Sequence, residues 1–360
     1  MRHRTLRIYI VLSILAASIP LFLGGCGNEE PEIVSDTIFA LGTTCTVQLY
    51  GEEHEDLIEP IFDLIREVED KMSVRAEGTE ASRINEHAGE EPVRVSDDTF
   101  TVVERAKHYS ALSDGRFDLT IEPLVSLWSI GSEDQRVPSE DEIARATDKV
   151  DYRKVRLDEE ESTVFLEEKG MGLDLGGIAK GYAADISVDY LRDHGVEYGI
   201  INFGGNVFAF GKKYGKNEWR IGIQSPDRQR GDYVGVAELV NRAVVTSGKY
   251  ERYFEQDGVR YHHILSTEDG YPVRNSLASV TVITGRALDA DALSTALFIL
   301  GLEAGVRRAE ELEGVEAVFL TEDKIVYTTG GLRDSFSVTS DVYKRGETKS
   351  LLAATGGTQE

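Results

Sequence analysis

A glycine turn near the middle of the chain constrains the fold more than any other stretch. Residues 173–181 read Leu-Asp-Leu-Gly-Gly-Ile-Ala-Lys-Gly, which predicts the end of a buried strand, a two-glycine turn and the start of a helix. Ile178 and Tyr182 begin a four-residue apolar spacing that continues until Gly195 ends it. Glycines at such a turn allow another backbone segment or a ligand to approach closely, because glycine has no Cβ atom. The free N–H groups of the helix start, beside Lys180, suit an anion such as a phosphate.

The same stretch is also compatible with a tight structural turn and a solvated lysine. It lacks the Gly-x4-Gly-Lys-Ser/Thr spacing of a Walker loop, and it does not read Gly-x-Gly-x-x-Gly. Its meaning therefore depends on which other polar residues converge on it.

The first 25 residues predict an export signal. Three arginines form a charged head, an almost uninterrupted apolar run follows, and Leu-Gly-Gly precedes Cys26. Small residues before a cysteine resemble a bacterial lipoprotein processing site, which implies cleavage before Cys26 and lipid attachment to its thiol. The alternative is an uncleaved N-terminal anchor. Both interpretations place the remaining domain outside the cytoplasm, attached to a membrane.

The rest of the chain predicts one domain with polar ends. We expect a lipidated tether at residues 26–36, a folded domain at 37–340 and a flexible tail at 341–360. Cys45 is the only other cysteine, so a lipidated Cys26 leaves no internal disulfide and the fold must rest on its core. The net charge of −25 argues against nucleic acid as a partner and against electrostatic docking on anionic lipid.

Helix and strand patterns are unevenly distributed. Helix signals dominate before the glycine turn, with a capping box at Ser139–Glu142, and strand signals dominate after it, with a hairpin across Asp257-Gly258. An apolar helix is predicted from Leu288 to Leu300. The strands are too clustered for regular βαβ alternation. We therefore predict a single large α+β domain with a mixed or antiparallel sheet and flanking helices.

The late apolar helix carries candidate metal ligands. Spacings of three and four place Asp291, Ser294 and Thr295 on nearly one helix face. A carboxylate and two hydroxyls offer only oxygen, which suits a hard cation such as Mg²⁺ rather than zinc. The structural alternative is an acidic residue that interacts with the helix dipole and a threonine that bonds its own backbone.

Three further segments have open interpretations. His262 and His263 lie on the second arm of the predicted hairpin, where adjacent side chains face opposite ways, so at most one points into a given site. A packed or surface histidine is the alternative. The stretch 246–250 superficially resembles a phosphate loop, but its lysine precedes Tyr250 rather than a serine or threonine and no helix pattern follows, so we predict a structural turn. Residues 115–128 predict a buried strand edge or loop with an aromatic anchor, or else a functional segment.

Eight short motifs occur in order between about residues 37 and 339. They are Gly42-Thr43-Thr44, Met72-Ser73, Phe117-Asp118 with Pro123-Leu124-x-x-Leu127-Trp128, Asp174-Leu175-Gly176-Gly177-Ile178-Ala179-Lys180-Gly181, Gly204-Gly205-Asn206, Thr246-Ser247-Gly248, His263-Ile264 and Asp291-x-x-Ser294-Thr295. Each motif is weak singly, but their order and spacing are specific. Together they resemble the ApbE-type FAD:protein FMN transferases.

The resemblance implies both a reaction and a set of site residues. FAD would be split at its pyrophosphate, and FMN would move to a threonine or serine hydroxyl of a target protein with release of AMP. The expected targets are subunits of membrane redox complexes. Catalytic roles are implied for His263, in proton transfer, and Asp291, with an acidic residue near the metal as an alternative proton acceptor. The implied Mg²⁺ ligands are Gly177, Asp291, Ser294 and Thr295, and the implied FAD contacts are Leu41, Arg116, Phe117, Asp118, Asp174, Lys180 and Leu265.

Three positions depart from the family pattern. Ser266 replaces the usual aspartate after the histidine motif, Lys249 replaces an acidic residue, and Arg75 replaces a frequent aromatic residue. A guanidinium can also stack on a ring face. Two other functions would use the same residues: hydrolysis of FAD to FMN and AMP with water as nucleophile, and non-catalytic FAD binding.

Overall fold

The chain folds around one large β-sheet. The structure, a computed structural model, describes residues 31–227 and 231–355. Its strands are β1 (Ile33–Ala40), β2 (Thr43–Tyr50), β3 (Val93–Arg94), β4 (Val155–Asp158), β5 (Thr163–Leu166), β6 (Gly199–Phe203), β7 (Asn206–Phe210), β8 (Trp219–Gln224), β9 (Tyr233–Leu239), β10 (Arg242–Gly248), β11 (Tyr253–Gln256), β12 (Val259–His262), β13 (Leu277–Thr284), β14 (Glu316–Thr321), β15 (Ile325–Thr328), β16 (Phe336–Val338) and β17 (Lys344–Arg345).

The helices mostly precede or interrupt this run of strands. They are α1 (Ile58–Met72), α2 (Glu80–Glu86), α3 (Asp97–Leu112), α4 (Glu122–Trp128), α5 (Glu140–Thr147), α6 (Ala179–Asp193), α7 (Ala287–Leu300), α8 (Leu302–Glu311) and α9 (Thr348–Thr355). Short 3-10 turns lie at Glu52–Leu57, Tyr152–Lys154 and Gly330–Leu332. No helix within the two described ranges is long and apolar enough to cross a bilayer.

Nine of the described strands form the large sheet in the order β1-β2-β6-β7-β10-β13-β14-β15-β17. All neighbours are antiparallel except β15 and β17, which run parallel. Smaller sheets have the orders β16-β9-β8, β3-β5-β4 and β11-β12. The predicted α+β fold with a mixed sheet is therefore confirmed.

Helix α7 lies in the main core. It is apolar on nearly all sides, as expected for a helix without a solvent face, and Leu293, Leu297 and Phe298 are almost fully buried. It packs against α6 and against β10 and β13 of the large sheet. Burying each such side chain stabilises the fold by about 1.5–3 kcal/mol. The polar residues on this helix are therefore held in a rigid position.

Several local predictions are confirmed. Helix α3 begins after Ser96, whose hydroxyl accepts a hydrogen bond from the N–H of Thr99. Helix α5 begins with the predicted capping box, in which Ser139 and Glu142 each cap the other's backbone N–H. The predicted hairpin is β11 and β12, joined at Asp257-Gly258 with positive φ at both turn residues.

The predicted domain boundaries are wrong at both ends. Strand β1 begins at Ile33 and pairs with β2 from its first residue, so residues 33–36 belong to the sheet rather than to a tether. In the predicted flexible tail, β17 pairs with β15, and α9 follows it. Backbone pairing with β2 and with β15 orders residues 33–36 and 344–345, respectively. The predicted signal and Cys26 lie outside the described residues.

Two local predictions also need correction. Leu173 does not end a strand: this segment is extended, with one bridge between Gly172 and Ile121 and a hydrogen bond from Asp174 N–H to the Leu119 carbonyl. Of the segment predicted as a buried strand edge or loop, residues 115–121 form a loop, whereas residues 122–128 form helix α4. Trp128 at its end is fully buried, and its Nε1–H donates to the Gly270 carbonyl at 2.8 Å.

Candidate functional site

Helices α6 and α7 meet at their N-terminal turns. The Oδ2 atom of Asp291 on α7 accepts a hydrogen bond from the Gly181 N–H of α6 at 3.0 Å. In return, Asp185 on α6 accepts from the N–H groups of Ala287 and Leu288 at 2.7 and 3.1 Å. Each helix thus supplies a carboxylate for unpaired N–H groups at the start of the other. This reciprocal capping fixes the two starts against each other.

Gly181 permits this close approach. A Cβ atom at this position would lie 2.3 Å from the Ala287 carbonyl oxygen and 2.6 Å from Leu288 Cα. Both are backbone atoms, so a side chain could be accommodated only by moving the helices apart. The glycine after Lys180 in the central motif is therefore required by helix packing.

Asp185 is a structural carboxylate that sequence analysis assigned no role. It is 2% exposed and also accepts from Nε of Arg286 at 3.1 Å. Burial raises the pKa of Asp185 to about 6, although the N–H groups of Ala287 and Leu288 oppose that shift. An acidic residue on the buried face of a predicted helix was the available signal, but its partners are about 100 residues away.

Lys180 places a positive charge at the same point. Its Nζ lies 3.2 Å from both carboxylate oxygens of Asp291 and donates to the Gly176 carbonyl at 2.8 Å. Asp291 is nearly buried, with 6% of its side chain exposed, whereas 25% of the Lys180 side chain is exposed. A cation is therefore already accommodated between this carboxylate and a carbonyl of the glycine turn.

Three hydroxyls form a chain beside Asp291. The Ser247 hydroxyl lies 2.8 Å from that of Ser294 and 3.0 Å from that of Thr295, and Ser294 Oγ donates to the Asp291 carbonyl at 2.9 Å. Ser247 comes from the end of β10, where sequence analysis predicted only a structural turn. The pattern Thr-Ser-Gly gave no indication of this contact, because it depends on α7 packing against β10.

The predicted metal ligands fit a hard cation. Asp291, Ser294 and Thr295 offer only oxygen atoms, and the Lys180 ammonium shows that the carboxylate attracts positive charge there. Within residues 31–227 and 231–355, no group of three or more His, Cys, Asp or Glu side chains could hold a metal. A metal at this point would therefore rely on one carboxylate with hydroxyl and carbonyl oxygens. No contact places the Gly177 carbonyl in this set.

The two histidines have different environments, as their alternation on a strand predicts. His262 is buried, and its Nε2–H donates to the Val273 carbonyl while Nδ1 accepts from the Ile264 N–H. His263 is partly buried, and its Nδ1 lies 3.2 Å from the Arg252 carbonyl. A carbonyl can only accept, so Nδ1 carries the proton and Nε2 keeps its lone pair. Desolvation, followed by the charge of Arg252, lowers the pKa of His263 to about 3.

The segment after α3 also reaches the glycine turn. A Cβ on Gly177 would lie 3.1 Å from the ring of Phe117. Arg116 forms an ion pair with Glu268 at 2.7 Å. Asp118 is buried and holds the local backbone, since its oxygens accept from Thr120 and from the Tyr152 N–H. Burial raises the pKa of Asp118, and these bonds oppose that shift. Its geometry favours a structural role.

The remaining predicted FAD contacts are more dispersed. Asp174 Oδ1 accepts from the Gly176 N–H at 2.7 Å and so shapes the turn. Leu41 lies in the β1–β2 turn with φ of 52°, and Leu265 is buried with a bridge to Pro272. The structure therefore brings the Lys180 and Asp291 side chains together. It links Ser294 to the Asp291 carbonyl, and links Ser294 and Thr295 to each other through Ser247. Phe117 lies against the turn, but no contact brings Leu41 or Leu265 to these residues.

The three departures have identifiable surroundings. Ser266 Oγ accepts from the Glu268 N–H at 3.2 Å, which reproduces the turn-forming bond that an aspartate would make. Lys249 forms an ion pair with Glu322. Arg75 is exposed, and its N–H donates to Ser73 Oγ at 3.3 Å. The serine thus preserves the turn, whereas the lysine changes the charge of this surface.

Comparison with known proteins gives a consistent result. The profile of the ApbE family matches residues 41–319. The chain is 40% identical to the FAD:protein FMN transferase of Klebsiella pneumoniae (strain 342), over 88% of this chain and 98% of that protein. It is 35% identical to the FAD:protein FMN transferase of Treponema pallidum (strain Nichols), over 92% of this chain and 95% of that protein.

Solved structures agree with this result. The ApbE protein of Thermotoga maritima has a TM-score of 0.78 at 34% identity, covering 84% of this chain and 99% of that one. The flavin transferase ApbE of Vibrio cholerae has a TM-score of 0.76 at 30% identity, and the match covers 84% of this chain and 99% of that one. By sequence and by fold, this chain belongs to the ApbE family.

Proposed function

We propose that this chain transfers the FMN moiety of FAD to a threonine or serine hydroxyl of an acceptor protein and releases AMP. The observation that carries the proposal is the meeting of Asp291 with the glycine turn at the start of α6, beside the hydroxyls of Ser294 and Thr295. The relatives named FAD:protein FMN transferase support the same chemistry.

The reaction requires one bond to form and one to break. The acceptor oxygen bonds to the phosphorus on the FMN side, and the bond from that phosphorus to the bridging oxygen breaks, so that AMP leaves. The hydroxyl proton moves to Nε2 of His263, which is neutral at physiological pH and holds a free lone pair there. A bound diphosphate would favour the protonated imidazole, because its negative charge opposes that of Arg252.

Mg²⁺ is the cofactor that we propose for this site. Asp291, Ser294, Thr295 and the Gly177 carbonyl would hold it, and when bound it supplies charge neutralisation and Lewis acidity at the diphosphate. Lys180 adds positive charge at the same point. Direct calorimetric titration with Mg²⁺ should show binding to the wild-type protein and none to Asp291→Asn, independently of any turnover.

Membrane attachment is a separate part of the proposal. The charged head, the apolar run and the Leu-Gly-Gly-Cys sequence support export and lipid attachment at Cys26, with membrane redox-complex subunits as the acceptors. Metabolic labelling with palmitate should mark the wild-type chain and not Cys26→Ser. Recovery of Cys26→Ser in the membrane fraction with its full length unchanged would favour the uncleaved anchor instead.

The central experiment follows all products of FAD. Purified protein, FAD and Mg²⁺ are incubated with membrane redox subunits, AMP is measured by chromatography, and the subunits are analysed by mass spectrometry. AMP together with FMN esterified to a hydroxyl is the expected result. Free FMN with unmodified subunits would instead identify a hydrolase, and FAD binding without AMP release would identify a binding protein.

The role of His263 has its own test. We expect His263→Gln to lower the transfer rate by roughly 10²–10⁴-fold while FAD still binds, because general-base catalysis contributes on that order. The matched control is His194→Gln, since His194 is exposed at the end of α6 and stacks on Tyr190. Equal transfer rates for His263→Gln and the control would exclude His263 as the base.

A further inference from the structure

A second cleft lies on the other side of the strand that leads to His263. It is open to solvent, and its volume is about 710 Å³. His262 and the rest of β12 line the cleft, whereas His263 does not. The lining residues are Lys249, Val259, Arg260, Tyr261, His262, Pro272, Val273, Arg274, Asn275, Ser276 and Glu322.

This cleft is locally positive in a strongly acidic protein. Its lining contains three cationic side chains, Lys249, Arg260 and Arg274, and one acidic side chain, Glu322, while the whole chain has a net charge of −25. Burial lowers the pKa of His262, so this residue adds no charge near neutral pH. The lining of the cleft therefore holds more cationic than acidic side chains, although the net charge of the chain is negative.

The three cations differ in how far they are neutralised. Lys249 pairs with Glu322, and Arg260 pairs with Glu255 at 3.0 Å. Arg274 is exposed and lies over the Tyr271 ring at 5.6 Å, and no ion pair involves it in the part of the chain that the structure describes. Arg274 thus offers a guanidinium fork to an external carboxylate.

The cleft and the candidate active site share two backbone segments. Lys249 follows Ser247 by two residues, and Ser247 contacts Thr295 of the proposed metal set. His262 precedes His263, and its bonds to Val273 and Ile264 hold this segment in place. An extended peptide rises about 3.3 Å per residue, so a few residues span from the cleft to His263.

We propose that this cleft binds an acidic segment of the acceptor protein and thereby presents the neighbouring acceptor hydroxyl to His263. This inference rests on the proposed function, since it concerns the acceptor of that reaction. A carboxylate of the segment would pair with Arg274, and the backbone of the segment would lie along Val259, which is 46% exposed.

Peptide binding tests the cleft directly. The probe is a fluorescein-labelled ten-residue peptide with one central threonine and four aspartates, and its counterpart carries asparagines at those four positions. Fluorescence anisotropy with FAD present should show binding of the aspartate peptide that weakens at least tenfold in Arg274→Glu. The asparagine peptide should bind at least tenfold more weakly than the aspartate peptide to the wild-type protein. The matched control is Arg333→Glu, an exposed arginine after β15 and outside the cleft, which should bind like wild type.

Other outcomes would overturn the inference. The inference fails if the wild-type protein binds the aspartate and asparagine peptides with equal affinity. It also fails if the wild-type protein and Arg274→Glu bind the aspartate peptide with equal affinity. Arg274→Glu that binds normally to peptide but loses binding to phosphatidylglycerol vesicles would identify a lipid surface instead. Arg274→Lys keeps the charge but loses the guanidinium fork, so it should bind the aspartate peptide more weakly than wild type and more tightly than Arg274→Glu, which separates loss of charge from misfolding.

Kinetics separate this inference from the proposed function. With an acceptor subunit as substrate, Arg274→Glu should raise the acceptor KM at least tenfold and leave kcat and the affinity for FAD unchanged. Loss of FAD affinity in this variant would contradict the inference. If the wild-type protein bound the acidic peptide but never modified an acceptor, the proposed function would fail while the peptide site stood.

Discussion

Replacing Asp291 by asparagine separates the chemical role of this residue from its structural one. An asparagine oxygen can still accept the Gly181 N–H, which lies 3.0 Å from the carboxylate in the native protein. The ion pair with Lys180 is lost, but a quarter of the Lys180 side chain is exposed and it keeps the Gly176 carbonyl as a partner. The free energy of unfolding should therefore fall by about 1 kcal/mol, rather than by the 3–5 kcal/mol of a fully buried broken pair.

The effect on turnover should be much larger. Asp291 is the only carboxylate among the proposed metal ligands. Its loss should lower kcat for AMP release on the order of 10²–10³-fold, which is the effect of removing one hydrogen-bond donor that stabilises the transition state in other enzymes. Steady-state AMP release at saturating FAD and Mg²⁺ measures this change. Thermal unfolding should shift by only roughly 2–4 °C.

The matched control is Asp289→Asn on the same helix. Asp289 pairs with Arg105 at 2.7 Å, with 23% and 37% of the two side chains exposed, and it lies outside the proposed metal set. This variant should lose similar stability and keep its turnover. Asp291→Ala should match Asp291→Asn in turnover and lose about 1 kcal/mol more stability, because it also removes the cap on Gly181. Wild-type turnover in Asp291→Asn would refute the assignment.

Three further changes test the surrounding structure. Gly181→Ala should cost about 1–3 kcal/mol or more in chemical denaturation, because its methyl group would lie 2.3 Å from the Ala287 carbonyl oxygen; an unchanged midpoint would contradict this helix contact. Burial raises the pKa of Asp185 to about 6, so the stability that Asp185 contributes is present below about pH 4 and lost as the pH rises through 6. Relative to Asp185→Asn, wild type should gain roughly 2 kcal/mol of unfolding free energy between about pH 7.5 and about pH 4.5, and a constant difference would exclude that shift. Trp128→Phe should lose about 1–3 kcal/mol in the same denaturation assay, because it leaves the buried Gly270 carbonyl without its donor; unchanged stability would show that this bond is dispensable.

Local sequence signals located most of the regular structure. Ser139 and Glu142 specify a helix start through bonds over three residues, and Asp257-Gly258 supports a tight hairpin through its own backbone preference. The same approach failed at α4 and at Ile33. In α4, a buried tryptophan and its bond to Gly270 stabilise a short helix that periodicity alone does not favour. At Ile33, pairing with Tyr50 begins strand β1 within a segment predicted to be a tether.

The candidate site likewise combines features that local sequence signals predict with features that depend on tertiary contacts. The spacing of Asp291, Ser294 and Thr295 on one helix face follows from helix geometry, and the predicted association with the glycine turn follows from the family motifs. Sequence analysis missed Ser247, because its hydroxyl reaches the site only after β10 packs against α7. It did not foresee that the Asp118 carboxylate holds the backbone at Thr120 and Tyr152, and the predicted contact of Asp118 with FAD stays a prediction.

The sequence by itself determined the α+β class, the starts of helices α3 and α5, the hairpin at Asp257-Gly258, the oxygen character of the proposed metal ligands and the family. These properties depend on neighbours within about one helical turn or on motif order. Only the tertiary structure decided that Asp185 and Asp291 cap each other's helices, that Ser247 joins the hydroxyl chain, and that Lys249 and Arg274 share a cleft. Asp185 and Asp291 act across about 100 residues, so their contacts exist only once α6 and α7 are packed on the sheet, at a distance that Gly181 permits.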